Sequence, residues 1–102
     1  MNEVQIKGVQ DGKLNVALFG DIDSGNAEEF YREVVEAYGK TPCDLLFDCE
    51  KLDFIDSTTL GTFVKILKKA KTDGYKMTLV NLQAKIKKLF VICSLDNIME
   101  IA

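Results

Sequence analysis

The sequence of 102 residues lacks histidine and tryptophan altogether and contains a single proline. Without histidine, the chain by itself has neither Ser-His-Asp nor Cys-His catalysis and no histidine-ligated zinc site. It also lacks any apolar run close to the roughly 20 residues that span a bilayer. Its first residues show no basic region followed by an apolar run, which a secretory signal requires. We therefore expect no membrane insertion.

The sequence has no large excess of charge of either sign. It contains 13 basic and 16 acidic residues, which give a net charge of −3. No overall positive charge attracts DNA or RNA, so we expect no nucleic-acid partner. The charges are nevertheless separated along the chain, because residues 1–56 hold 13 acids and 5 bases whereas residues 57–102 hold 3 acids and 8 bases. The length and the apolar fraction of 47% are typical of one globular domain, residues 1–102.

Cysteine is scarce as well. Cys43, Cys49 and Cys93 are odd in number, and no two of them have the CxxC spacing. We interpret all three as small buried apolar residues rather than as redox or metal-binding groups. Free thiols are typical of a reducing compartment, so we expect a cytoplasmic location.

Apolar periodicity predicts the helices and strands. Two short runs on either side of Asp11-Gly12 predict a β-hairpin. Three later segments have the spacing of amphipathic helices: 27–38, with Gly39 just past its end, Thr58–Lys71 and Ala84–Cys93. On the third helix, four residues are expected to face the core: Ile86, Leu89, Phe90 and Cys93.

Three further strands are predicted at Leu45–Cys49, Tyr75–Val80 and Ile98–Ile101. Strands therefore alternate with helices after the hairpin. This order predicts an α/β fold, with a mixed central β-sheet of four to five strands and helices packed on it.

Two polar loops, residues 20–24 and 54–61, lie where strands are predicted to end and helices to begin. Such sheets carry functional residues at this position. The second loop contains Asp56 and three hydroxyl residues, 57–59, at the start of a helix. A phosphate on Ser57 would meet the free N–H groups and the dipole of that helix. Alternatively, Asp56 or Ser57 is an ordinary N-cap. Asp21 and Asp23 of the first loop, with Asp56, are either a divalent-cation site or solvated, turn-forming residues.

Three stretches of the chain resemble the STAS domain family, named for sulfate transporters and anti-sigma factor antagonists. Residues 20–23, Gly-Asp-Ile-Asp, resemble the family's Gly-Glu-hydrophobic-Asp at the end of the second strand. Residues 46–48 and 52–57 resemble its third strand and signature loop, whose pattern is roughly D-S-[ST]-G-[LIV]-G. Residues 87–90 and 94–95 resemble its third helix, and the order of elements matches over essentially the whole chain.

The resemblance implies a single STAS-like domain that acts as a bacterial protein–protein switch and is not an enzyme, with no cofactor and no metal. In anti-sigma factor antagonists, the anti-sigma factor is also a serine kinase. It phosphorylates the serine directly after the signature aspartate, and a phosphatase resets the switch. Only the unphosphorylated antagonist binds the anti-sigma factor and frees sigma. We expect such a protein to be a monomer or a weak dimer.

By position, the resemblance assigns the phosphoacceptor to Ser57, with Thr58 as the less favoured hydroxyl. Thr59 stands where the family usually has glycine. The implied partner-binding residues lie on the two loops and the first turn of the second helix: Asp21, Asp23, Asp56, Ser57, Thr58, Thr59 and Gly61.

Two other functions remain as alternatives. One is a constitutive STAS subunit of a larger assembly, such as a lipid-transport ATPase complex or a signalling scaffold, in which Ser57 and Thr58 only pack and cap. The other is a small enzyme or nucleotide binder that uses Asp21, Asp23 and Asp56 with Mg²⁺.

Overall fold

The computed structural model describes every residue from 1 to 102. Five strands are present: β1 (Val4–Gln10), β2 (Lys13–Ile22), β3 (Asp44–Ile55), β4 (Met77–Val80) and β5 (Glu100–Ile101). Three α-helices connect them: α1 (Ala27–Lys40), α2 (Ser57–Thr72) and α3 (Ala84–Ile92). A short 3-10 turn, Leu95–Asn97, precedes β5. The predicted α/β class is confirmed, and none of these helices has the length and apolar character needed to cross a membrane.

The five strands form one sheet in the order β1-β2-β3-β4-β5. β1 and β2 are antiparallel, and the other three pairs are parallel. The predicted hairpin is present, because Gln10 pairs with Lys13 across a two-residue turn. Asp11 and Gly12 both have positive φ, 54° and 77°, as the favoured two-residue hairpin turns require.

The core lies between one face of the sheet and the three helices. Phe30 of α1, Phe47 of β3, Phe63 of α2 and Phe90 of α3 are fully buried and meet edge to face, with ring centroids 5.3 to 6.1 Å apart. Because the Phe63 ring contacts the other three, all three helices pack on the same face. Edge-to-face contacts of this kind add to the free energy gained from burial of the rings.

The third strand is longer than its predicted extent, Leu45–Cys49, and includes most of the segment expected to be a loop. Its pairing with β2 shifts twice, and each shift places one extra residue in β3. The buried residues therefore follow one another at intervals of three, at Cys49, Leu52 and Ile55. These bulges hide the two-residue period of a strand, which is why the prediction ended too early.

The helix ends also differ from the prediction. α1 continues to Lys40, so Gly39 lies inside the helix. The helix ends where the Thr41 N–H donates to the Tyr38 carbonyl oxygen and Pro42 prevents continuation. In α3, only Ile86 and Phe90 are buried, whereas Leu89 is partly exposed. The last two strands are shorter than predicted, because β4 begins at Met77 and β5 at Glu100.

The interpretation of the cysteines is correct for one residue of the three. Cys49 is fully buried, and burial raises the pKa of its thiol to about 12. Cys43 is half-buried. Cys93 is exposed, because α3 ends at Ile92 and the next residue lies outside the stripe that faces the core.

Candidate functional site

The two polar loops lie side by side at one edge of the sheet. β2 and β3 are parallel neighbours, and the last pair in their register is Ile22 with Ile55. The loop that leads to α1 therefore starts next to the residue that leads to α2. Gly20 has a φ of +62° two residues before β2 ends, a backbone conformation that glycine adopts at little cost.

The Asp56 carboxylate joins the two loops. Asp56 is the N-cap of α2, and its Oδ1 accepts a hydrogen bond from the Thr59 N–H at 3.0 Å. Its Oδ2 accepts from the Ser24 N–H of the other loop at 2.9 Å. These hydrogen bonds hold the pKa of the Asp56 carboxyl below its ordinary value, the Thr59 N–H being the largest cause. Asp56 therefore caps the helix and also holds the β2–α1 loop against it.

Thr59 is the buried member of the hydroxyl run, with 0% of its surface exposed. Its hydroxyl donates to the Ile22 carbonyl oxygen at the end of β2. The same hydroxyl oxygen lies 3.1 Å from Asp56 Oδ1. Its side chain thus lies beneath the surface of the loop pair.

Ser57 and Thr58 are both exposed, in contrast to Thr59. They are the first two residues of α2, and neither side-chain hydroxyl has a hydrogen-bond partner within the protein. The first turn of α2 contains no acidic residue. A group attached to the Ser57 oxygen therefore lies close to the positive end of the helix dipole, with Asp56 as the neighbouring negative charge.

The β2–α1 loop is held by its own side chains. Asp23 Oδ1 accepts from the Gly25 N–H at 2.9 Å, and the Asp23 N–H donates to Asn26 Oδ1 at 2.8 Å. Asn26 Nδ2 donates to the Asp21 carbonyl oxygen at 3.0 Å. The Asp23 carboxylate therefore takes part in the turn, in agreement with the turn-forming alternative. Asp21 is exposed.

The three aspartates do not form a metal site. The structure contains no group of three or more histidine, cysteine, aspartate or glutamate residues placed to hold a metal ion. Asp56 directs its oxygens at backbone N–H groups, and Asp23 closes its own turn. The cation site built on Asp21, Asp23 and Asp56, which the Mg²⁺-dependent alternative requires, is therefore absent.

A polar groove of about 460 Å³ runs between α1 and α2 from the two loops. Ser24 and Thr58 line its end at the loops, and Arg32 and Lys65 lie further along. The Lys65 Nζ lies 4.8 Å from the centroid of the Tyr31 ring, a cation–π contact. On the other side of the loops, Phe54 of β3 is 50% exposed.

Sequence reasoning missed two members of this arrangement, the Ser24 N–H and the Ile22 carbonyl oxygen. Both are backbone groups, and every residue type except proline carries both of them, so residue identity gives no signal. The burial of Thr59 was also missed. A weak signal for it exists, because Thr59 and Phe63 are four residues apart and lie on one face of α2.

Comparison with known proteins supports one family. The model of the family described as STAS domain matches residues 4–102. The anti-sigma-B factor antagonist of Bacillus subtilis is 30% identical over 92 residues, which are 90% of this chain and 84% of that protein.

Solved structures share the fold. The crystal structure of tm1081 from Thermotoga maritima has a TM-score of 0.83 at 27% identity, and the match covers 96% of this chain and 84% of that one. The anti-sigma factor antagonist SpoIIAA, unphosphorylated, has a TM-score of 0.77 at 18% identity, covering 97% of this chain and 86% of SpoIIAA. The phosphorylated form of SpoIIAA has a TM-score of 0.75 at 21% identity, covering 97% and 90%. The likeness to SpoIIAA is one of fold.

Proposed function

The chain belongs to the STAS domain family, and from that premise we propose that it is an anti-sigma factor antagonist controlled by phosphorylation of Ser57. In this role it is a regulatory binding protein of the cytoplasm and not an enzyme. Its partners are an anti-sigma factor with serine kinase activity and a phosphatase. The observation that carries the proposal is the exposed Ser57, whose hydroxyl is unpartnered at the start of α2 beside a carboxylate that holds the loop in place.

The surroundings of Ser57 suit a phosphate switch. A phosphoserine carries a charge of about −1.5 to −2 at neutral pH. The N-terminus of α2 offsets part of this charge within the protein, so the fold need not change. In agreement, both the phosphorylated and the unphosphorylated forms of SpoIIAA share this fold.

The same phosphate opposes association with a partner. At an interface that excludes water, the unpaired dianion next to Asp56 costs several kcal/mol of binding free energy. Phosphorylation therefore blocks association through local charge and size, without a large rearrangement of the domain.

The proposed partner surface consists of the exposed residues around Ser57. Asp21, Thr58 and Gly61 are exposed there, whereas Asp23, Asp56 and Thr59 hold the loops from within. Gly61 lies inside α2, where glycine is unfavourable by about 1 kcal/mol relative to alanine. A Cβ built at this position meets no atom within 4 Å, so packing within the domain does not require a glycine. A partner that approaches the helix backbone closely would require it.

Binding to the anti-sigma factor kinase encoded in the same genome tests the proposal. The dissociation constant is measured by titration calorimetry for the wild type, Ser57→Ala and Ser57→Asp. We expect Ser57→Ala to bind like the wild type, and Ser57→Asp to bind about 100-fold more weakly because one desolvated charge is added. Equal binding by both variants would contradict the switch and favour a constitutive STAS subunit.

Ser94→Asp is the matched control for added charge. Ser94 is exposed and has a φ of 59°, a conformation that aspartate tolerates better than most residues. It lies beyond α3, away from the two loops, and we expect Ser94→Asp to bind like the wild type.

Mass spectrometry after incubation with the kinase and ATP then identifies the acceptor. We expect phosphate on Ser57 in the wild type and in Thr58→Val, and no phosphate in Ser57→Ala.

A further inference from the structure

The two buried threonines of α2 use their hydroxyls in different ways. Thr59 and Thr62 are the only buried polar or charged residues. The Thr62 hydroxyl donates to the Thr58 carbonyl oxygen, within the same helix, at 2.9 Å. The Thr59 hydroxyl instead bonds across the fold to the Ile22 carbonyl oxygen, 37 residues earlier in the chain.

The contacts of Thr59 form a continuous path from β2 to the exposed Ser57. The end of β2 holds the Thr59 hydroxyl, and Asp56 Oδ1 lies within hydrogen-bond distance of both the Thr59 hydroxyl and the Thr59 N–H. The second oxygen of Asp56 holds the Ser24 N–H. Ser57 directly follows Asp56 in the chain, and Thr59 lies two residues further on. Both of these neighbours are held by hydrogen bonds.

We propose that Thr59 is the positioning residue for Ser57. Its hydroxyl ties the first turn of α2 to the end of β2, and this places the Thr59 N–H that holds Asp56. Through Asp56 it also holds the β2–α1 loop in the arrangement that a partner recognises. The functional part of this inference rests on the proposed phosphorylation of Ser57. A serine whose backbone is held in one arrangement loses less conformational entropy when a partner or a kinase binds it. Binding is therefore tighter, and phosphorylation faster, than for a serine on a mobile loop.

Removal of the hydroxyl with little change in shape tests the inference. Thr59→Val removes it, and Thr59→Ser restores it without the methyl group. Two NMR measurements report on the loops: the exchange rate of the Ser24 amide and the pKa of the Asp56 carboxyl. In Thr59→Val we expect exchange at Ser24 to be about tenfold faster, because one hydrogen bond in the path is lost. We expect the Asp56 pKa to rise towards its ordinary value.

Thr59→Ser and Thr62→Val are the controls. Thr59→Ser is expected to match the wild type in both measurements, since the hydroxyl is restored. Thr62→Val removes the other buried threonine hydroxyl, whose bond stays within α2, and it is expected to leave both unchanged. If Thr59→Val does not fold, Thr59→Ala, which also lacks the hydroxyl, replaces it. Unchanged Ser24 exchange and Asp56 pKa in a variant without the hydroxyl would overturn the inference, as would a failure of Thr59→Ser to restore them.

Phosphorylation of Ser57 by the cognate kinase provides the functional measurement. We expect the initial rate to fall about tenfold in Thr59→Val and to recover in Thr59→Ser. An unchanged rate in Thr59→Val would overturn the positioning role. If the wild type itself is neither phosphorylated nor bound by an anti-sigma factor, the proposed function fails, whereas the NMR comparison still decides whether Thr59 fixes the loops.

Discussion

A carboxylate joins α1 to α2 at both ends of this helix pair, but in two different ways. At the end that carries Ser57, Asp56 at the start of α2 accepts from the Ser24 backbone N–H, just before α1. At the opposite end, Asp73 after α2 accepts from the Tyr38 hydroxyl of α1 at 2.6 Å. The Tyr38 ring also meets Tyr75 edge to face, with centroids 6.3 Å apart.

The two links differ in whether a side chain or a backbone group acts as the donor. At the Tyr38 end, the link uses a nearly buried aromatic side chain, and burial with the Asp73 hydrogen bond raises the pKa of the Tyr38 hydroxyl. At the Ser57 end, the link uses a backbone donor, so the side chains of Ser57 and Thr58 stay exposed. A backbone-mediated link thus orders a loop without covering the side-chain hydroxyls of Ser57 and Thr58.

The largest expected effect is a difference in unfolding free energy between substitutions at the two ends of the helix pair. Tyr38→Ala removes a buried ring, and we expect the free energy of unfolding to fall by about 3 to 5 kcal/mol. Ser57→Ala removes an exposed, unpartnered hydroxyl, and we expect a change within about 0.5 kcal/mol. Urea denaturation of both variants measures the difference. Similar losses in the two variants would show that the Ser57 end also contributes to stability through its side chains.

A smaller effect isolates the Tyr38 hydroxyl from its ring. Tyr38→Phe keeps the ring and removes the donor to Asp73, and we expect a loss of about 1 to 2 kcal/mol in the same assay. Tyr75→Phe is the matched control, because the Tyr75 hydroxyl makes no hydrogen bond within the protein. If Tyr75→Phe is equally destabilised, the hydrogen bond to Asp73 does not account for the loss.

Acid should weaken the Ser57 end through Asp56. The pKa of its carboxyl is lower in the folded protein than its ordinary value of about 3.9. Its contribution to stability is therefore present above that value and is lost as the pH falls through the folded-state pKa. We expect the unfolding free energy of the wild type to fall more steeply below about pH 4 than that of Asp56→Asn. Identical slopes in a series of urea titrations would exclude Asp56 as the cause.

The smallest effects are differences in thiol reactivity, which report local opening. We expect iodoacetamide at pH 8 to modify the exposed Cys93 first and the half-buried Cys43 next. Cys49 should react only on unfolding, because burial raises its thiol pKa to about 12. Mass spectrometry at timed intervals measures the order, and early modification of Cys49 would contradict the packing of the core.

The sequence was most informative where one period extended over many residues. α2 was predicted to within one residue at each end, and the hairpin turn at Asp11-Gly12 was predicted correctly. The extension of β3 to Ile55 was not predictable from period alone, because two bulges change the spacing of its buried residues from two to three. Cys93 was misassigned because a helical stripe was continued one residue past the end of a short helix.

The candidate site was only partly readable for a different reason. An aspartate and a serine before an amphipathic run indicate the start of a helix, so the sequence located Asp56 and Ser57 at the surface turn. The link from Asp56 to Ser24 joins residues 32 positions apart and uses a backbone N–H, which no residue pattern specifies. The inward orientation of Thr59 depends on its contact with the end of β2. Among the three consecutive hydroxyl residues, only its four-residue spacing from Phe63 distinguishes it.

The order of the strands in the sheet has a consequence for how the chain folds. Because spatial order equals chain order, each new strand joins an open edge, and none must insert between two strands already paired. The loop closed at each step is therefore no longer than one crossover connection. β2, α1, β3 and α2, which build the surface around Ser57, all lie within residues 13–72. On a translating ribosome, the elements of that surface are therefore complete before β4, α3 and β5 have been synthesised.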